Sequence, residues 1–287
     1  MNKSNVEVAN GKINSKQTEK NSKRIRSKEA SNGSPEKKFE DRKNEGGVKR
    51  LLTNSEFLKK SSNNIILSFS RGKDSIVSWL LLKELGFNVY PIYYSLCPYM
   101  DFELESLKYY EDFFKTKIIK IPSSTFNELY STGYLQTKEA ISISKKNTIS
   151  TYSNEDIRLM AIEEYGLDKN TYIAVGATVN DSMQRRIGIN KVNGLNHKSK
   201  KFYPIADFTV SDIEEYLIKY KVKLPIDYKI WGSTFDGLNL RWLGELKEHL
   251  PKDFDLVKMY FPFIEAELFR KELLQLWDKK SIEKKIN

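Results

Sequence analysis

Apolar residues are scarce and aperiodic from residue 1 to about 46, and the pattern changes at Val48. The first stretch is built of Asn, Ser, Lys and Glu and closes on Gly46-Gly47. It has too little apolar surface to offset the entropy of ordering the chain, so residues 1–46 are expected to form a disordered tail. Beyond it, Leu51, Leu52, Phe57 and Leu58 predict a short helix. Asn64-Ile65-Ile66-Leu67-Ser68-Phe69-Ser70 is a continuous apolar run with β-forming residues, which predicts a buried strand. Ile76, Val77, Leu80 and Leu81 then share one face of a helix over 75–85, with Gly86 placed to end it. A second strand over 89–94, a helix over 102–114 and a third strand over 117–121, stopped by Pro122, continue the alternation.

Residues 131–150 are polar and without clear period, which predicts a mobile loop. A helix over 154–165 follows, capped by Ser153 or Asn154, and then a strand over 172–176. After Phe202-Tyr203-Pro204-Ile205 comes a helix over 210–220, with Asp207 or Thr209 as its cap and Asp212 in its first turn. The chain past Pro225 reads as a loop at 231–237 and then helices interrupted at Pro251 and Pro262. Strands alternating with helices imply right-handed crossovers and a doubly wound, mostly parallel α/β sheet.

Composition narrows the chemistry. The 287 residues are 39% hydrophobic and 12% aromatic, enough for one large core plus a tail. Cys97 is the single cysteine, so an internal disulfide, a Cys-x-x-Cys pair and a cysteine zinc cage are excluded. With only His197 and His249 besides, a histidine-rich metal site is not expected. No run of 18 apolar residues is present to span a membrane, and Met1-Asn2-Lys3-Ser4-Asn5 leads into polar residues rather than an apolar signal region. These features predict a cytoplasmic protein. The formal charge of +10 is concentrated at one end: residues 1–50 hold 14 Lys and Arg against 7 Asp and Glu. The tail is thus either a solvated segment or an electrostatic arm for a protein partner or nucleic acid.

The chemistry-bearing element is the first strand ending in Ser70-Arg71-Gly72-Lys73-Asp74-Ser75 and opening directly into a helix. A helix N-terminus offers unpaired N–H groups and a partial positive charge, both suited to phosphate. Gly72 allows close backbone approach, the hydroxyls of Ser68, Ser70 and Ser75 can donate to phosphate oxygens, and Lys73 adds a full charge. The P-loop pattern fails here, since it needs Ser or Thr where Asp74 stands, and G-x-G-x-x-G is absent. The expectation is a phosphate-bearing ligand bound at the carboxyl end of a strand.

Ser70–Ser75 resembles the S-G-G-K-D-S loop of the PP-loop ATP pyrophosphatases, in particular their phosphoadenosine phosphosulfate (PAPS) reductase-like branch. Val175-Gly176-Ala177-Thr178, followed by Asp181-Ser182 and Arg185-Arg186, is similar to the family's second motif, a strand, a Gly and an [E/D]-S-x-x-R-R run. Tyr203-Pro204-Ile205-Ala206-Asp207-Phe208-Thr209, with Asp212 beyond, looks like its P-I-x-D-W-T-x-x-D-V segment. Leu224-Pro225-Ile226-Asp227-Tyr228 and Phe235-Asp236-Gly237-Leu238 resemble a stretch of phage and bacterial members of unassigned activity. The ordered set covers roughly residues 60–270. It implies a five-stranded, adenine nucleotide α-hydrolase-like sheet over 47–222 and a helical C-terminal region, 223–287, packed on it.

The resemblance implies ATP or PAPS as ligand, bound through Ser68, Ser70, Arg71, Gly72, Lys73, Ser75, Gly176, Asp181 and Ser182. ATP-using members cleave between the α- and β-phosphates and pass AMP to an acceptor, here unknown. Lys73, Asp74, Arg185 and Arg186 would be the catalytic group, and Mg²⁺ would sit between phosphates with Asp74 or Asp181 as ligand. The Arg185-Arg186 pair is either an anion clamp or a solvated face. Trp231, Phe235 and Trp242 are either core or a stacking surface for a base.

Two departures from the family stand out. Arg71 replaces the first Gly of its loop, so either that position does not need positive φ or the loop is remodelled; an Arg there would be able to add a bidentate phosphate contact. The reductases attack sulfur with a C-terminal cysteine, and residues 273–287 contain none. Sulfonucleotide reduction would then fall to Cys97, for which a packed core position is the competing reading.

Overall fold

The run Asn64–Phe69 forms β1 in the computed structural model, which describes residues 46–146, 152–270 and 273. Residues 1–45, 147–151, 271–272 and 274–287, and with them the basic tail and part of the expected 131–150 loop, lie outside the described residues. Helix α1 (Gly46–Lys59) precedes β1, and α2 (Lys73–Glu84) follows it. Then come β2 (Asn88–Ser95), α3 (Asp101–Phe114), β3 (Ile119–Pro122), α4 (Ser124–Ser131) and α5 (Lys138–Lys146). The second half holds α6 (Asn154–Tyr165), β4 (Ile173–Val175), α7 (Met183–Lys191), β5 (Leu195–Asn196), β6 (Lys201–Phe202) and α8 (Val210–Tyr220). Helices α9 (Asp227–Ile230), α10 (Leu240–His249) and α11 (Pro251–Tyr260) complete the named elements.

The strands form one sheet in the order β3-β2-β1-β4-β6-β5. Every pairing is parallel except β5 with β6. The α/β, mostly parallel architecture expected from the alternation is therefore observed, with a sixth, antiparallel edge strand where five were expected. That edge is two residues long and offers no alternating pattern to read.

Side-chain alternation along β1 explains the double winding. Ile66 points to one face and packs with Ile157, Ala161 and Ile162 of α6. Phe69 points to the other, where it meets Trp79 of α2 and Tyr110 of α3 edge-on at 5.1 and 5.2 Å. Trp79 in turn stacks on Phe114 at 3.9 Å. Covered on both faces, β1 has no solvent side, so its sequence is a solid apolar run rather than an alternating one.

The expected loop at 131–150 is corrected in part: α5 occupies Lys138–Lys146. Ile141-Ser142-Ile143-Ser144 alternates at strand period and hides the helix. Helix α7 was likewise not foreseen, because of its nine residues only Ile189 is buried and no apolar stripe exists. The C-terminal region packs through a cluster in which Cys97, Met100 and Phe102 meet Phe235, Trp242, Leu246 and Phe261. No helix among the described residues is long and apolar enough to cross a membrane.

Candidate functional site

Strand order reverses between β1 and β4: the chain winds outward from β1 to β2 and β3, then returns to β4 on β1's other side. In open α/β sheets the crevice outside the carboxyl ends of such a strand pair is where ligands lodge. The ends that meet here are Ser70–Lys73, after β1, and Gly176–Asp181, after β4. The two segments singled out from the sequence are thus brought to one place by topology.

The loop after β1 is held by its own serines. Ser75 Oγ donates to the Gly72 carbonyl at 2.8 Å and receives the Ser70 amide at 3.2 Å. The two hydroxyls lie 3.2 Å apart, and the Gly72 amide reaches Ser70 Oγ at 3.4 Å. Ser70 and Ser75 therefore spend hydrogen bonds on loop shape, while half-buried Ser68 bonds with Tyr94. Gly72 caps α2 with no side chain to accept from its first amides. Its φ is −71°, so its role is room, not left-handed backbone.

Arg71 is the residue in the left-handed region, at φ 62°. The loop keeps the backbone that a Gly would favour, at a cost for Arg of roughly 1–2 kcal/mol. The guanidinium does not face outward, as an extra phosphate ligand would. It is wholly buried, with Nη1 and Nη2 each 3.0 Å from the two Asp227 oxygens and Nη2 also 3.3 Å from Glu103. The rings of Tyr93 and Phe102 each lie 5.3 Å from it. Burial pushes the Glu103 carboxyl up, against the pull of Arg71 and hydrogen bonds from Tyr93 and Ser95. Arg71 is thus a bolt between the loop and the C-terminal region; of its partners, Glu103 was not picked from the sequence and Asp227 stood there only within a motif without an assigned role.

On the opposite side stands Gly176. A Cβ there would lie 2.9 Å from backbone atoms of Asp74 and Ser75, so the end of β4 and the start of α2 touch backbone to backbone. Beyond it, Asp181 accepts from the Thr178 amide at 3.0 Å and the Thr178 hydroxyl at 2.8 Å, and pairs with Arg185. Burial raises the Asp181 carboxyl, but those hydrogen bonds and Arg185 outweigh it and the pKa is lowered. Ser182 caps α7 by accepting from the Arg185 amide at 3.1 Å. Arg186 is exposed and donates to the Val179 carbonyl at 3.2 Å.

Asp74 joins the two segments. Burial, with Asp181 nearby, pushes its carboxyl up, while Lys73 and Arg185 pull it down, and burial wins. Lys73, Asp74, Asp181 and Arg185 therefore share one electrostatic neighbourhood. A further group was missed from the sequence: Tyr228, from α9, receives the Lys73 amide on its hydroxyl at 3.0 Å. Nothing local in the sequence links positions 155 residues apart.

The open alternatives resolve toward packing. Phe235 and Trp242 are buried, with Trp231 packed against their cluster. Cys97 is fully buried and burial pushes its thiol well up. His197, on the hairpin between β5 and β6, has its Nδ1 2.9 Å from the hydroxyl of Tyr172, which immediately precedes β4.

No family model matches the chain, and no curated protein matches it. Solved structures resemble it distantly. One is the NH3-dependent NAD synthetase of Campylobacter jejuni, 16% identical over 78% of this chain and 94% of that one, with a TM-score of 0.39. Another is a predicted subunit of a tRNA methyltransferase from Methanocaldococcus jannaschii, 17% identical over 67% and 91%, with a TM-score of 0.31.

Proposed function

We propose that the protein binds ATP with its phosphates on the Ser70–Ser75 loop, cleaves it between the α- and β-phosphates and transfers AMP to an acceptor. The observation that carries this reading is the junction of the two segments at the strand-order reversal, with Lys73, Asp74, Asp181 and Arg185 in one electrostatic neighbourhood at the start of α2. In such a reaction negative charge builds on the leaving pyrophosphate and on the oxygens of the α-phosphoryl group. The amides of α2's first turn that follow Lys73, together with the Lys73 ammonium, would stabilise the former. Arg185 and Arg186, at the head of α7, would serve the latter or the acceptor.

Mg²⁺ fits this donor set at one carboxylate. Asp181 already accepts three hydrogen bonds, whereas Asp74 is half-buried with its carboxyl pushed up, a state that a nearby dication relieves. Asp74 would hold the ion together with phosphate oxygens, in keeping with magnesium's habit of using one or two carboxylates. Bound there, it would neutralise phosphate charge. Reduction of a sulfonucleotide would need a thiolate, and the buried Cys97 is poorly suited to supply one. The ATP reading is preferred for that reason.

Incubation with α-labelled ATP, Mg²⁺ and cell extract is expected to release AMP or an AMP adduct, and Lys73→Ala is expected to abolish it. Proven ATP binding with neither product under any acceptor supplied would contradict the transfer reaction.

A further inference from the structure

Leu224-Pro225-Ile226-Asp227-Tyr228 is a motif to which the proposed reaction gives no task. In the fold its last two residues straddle the phosphate loop. Asp227 takes both terminal nitrogens of Arg71 at 3.0 Å and accepts the Phe235 amide at 2.9 Å, so its carboxylate is fixed from two sides. The adjacent Tyr228 hydroxyl rests 3.0 Å from the Lys73 amide. It stands 3.7 Å from the place a Gly72 Cβ would occupy, a position the Thr234 methyl approaches to 3.6 Å. The segment therefore forms a second wall facing the loop. A phenol that accepts one hydrogen bond through a lone pair still has its O–H to donate.

We infer that Tyr228 is a phosphate ligand of this site, donating its hydroxyl proton to an oxygen of the pyrophosphate moiety, and that the Arg71–Asp227 pair is the device that positions it. The inference rests on the loop being a phosphate site. A phenol carries its proton at neutral pH and can donate it, and here burial pushes the group further up against the Lys73 amide bond. The departure from the family at position 71 gains a purpose on this account. A side chain in place of Gly reaches through the loop into the core and locks the C-terminal wall against the phosphates.

Calorimetric titration with inorganic pyrophosphate and with ATP, on the full chain, tests this. Tyr228→Phe keeps the ring and removes the donor. It is expected to weaken both ligands by about tenfold or more, the usual cost of a hydrogen bond to a charged group, while the chain stays folded with its denaturation midpoint lowered only by the lost Lys73 amide contact. Asp227→Asn is expected to weaken pyrophosphate as well, and the double variant to be no weaker than Tyr228→Phe alone, because both changes remove one contact. Unchanged affinity in Tyr228→Phe would overturn the inference while leaving the loop as a phosphate site. Tighter binding would overturn it too and make the hydroxyl a plug in the phosphate position. If the wild-type chain bound neither ligand, the loop reading would fail first and the inference with it.

Discussion

Arg71 shows how one side chain changes the meaning of a motif. Its backbone keeps a left-handed conformation, but its head group lies in the core between Asp227 and Glu103. Buried ion pairs add little net stability over an apolar filling, yet removing one partner strands the other. Asp227→Asn is therefore expected to lower unfolding free energy by about 3–5 kcal/mol in urea denaturation. Adding Arg71→Gly to it is expected to cost less than the sum of the single changes. Strict additivity would contradict the coupling. None of this was legible in the sequence, where Arg71 was expected as an additional phosphate contact. Its carboxylate partners lie 32 and 156 residues away, beyond the reach of any local pattern. The junction of β1 with α2 at Ser70–Lys73 was legible, because a strand running directly into a helix is encoded by its own local pattern.

At the scale of elements, the sheet was readable because β1 and β2 are continuous apolar runs and α6 and α8 carry their own start signals. Ser153 with Asp156, and Thr209 with Asp212, form reciprocal capping boxes at the two helix starts. Helix α7 was not readable, since an almost fully exposed helix has no apolar stripe. The contact between β4 and α2 was half visible: Gly176 stood in the sequence as a strand-end glycine, but the reason is the backbone 2.9 Å from its missing Cβ. Backbone atoms cannot swing aside as a side chain can. Gly176→Ala is thus expected to cost about 1–3 kcal/mol of stability, the usual range for overpacking, and to weaken ATP binding by shifting Asp74 and Ser75. Thermal unfolding and ATP titration of the variant check both parts. A variant as stable and as tight-binding as wild type would contradict the close approach.

Over the whole molecule, charge and fold point to different things. Seven of the ten net positive charges fall within residues 1–50, so the overall basicity says little about the crevice. What defines the crevice is topology: a reversal in strand order that sets two loops side by side, closed on a third side by the C-terminal region through Asp227 and Tyr228. The alternation of strands and helices made the reversal predictable as a class, while the third wall depends on contacts that no periodicity encodes.

The central claim is that this crevice binds ATP by its phosphates. Calorimetric titration of ATP into the wild-type protein and into Lys73→Ala, with Mg²⁺ present, tests it most directly. The account predicts saturable binding by the wild type and at least a tenfold loss in Lys73→Ala, with both proteins equally folded. Equal binding by the two, or none by the folded wild type, would contradict it.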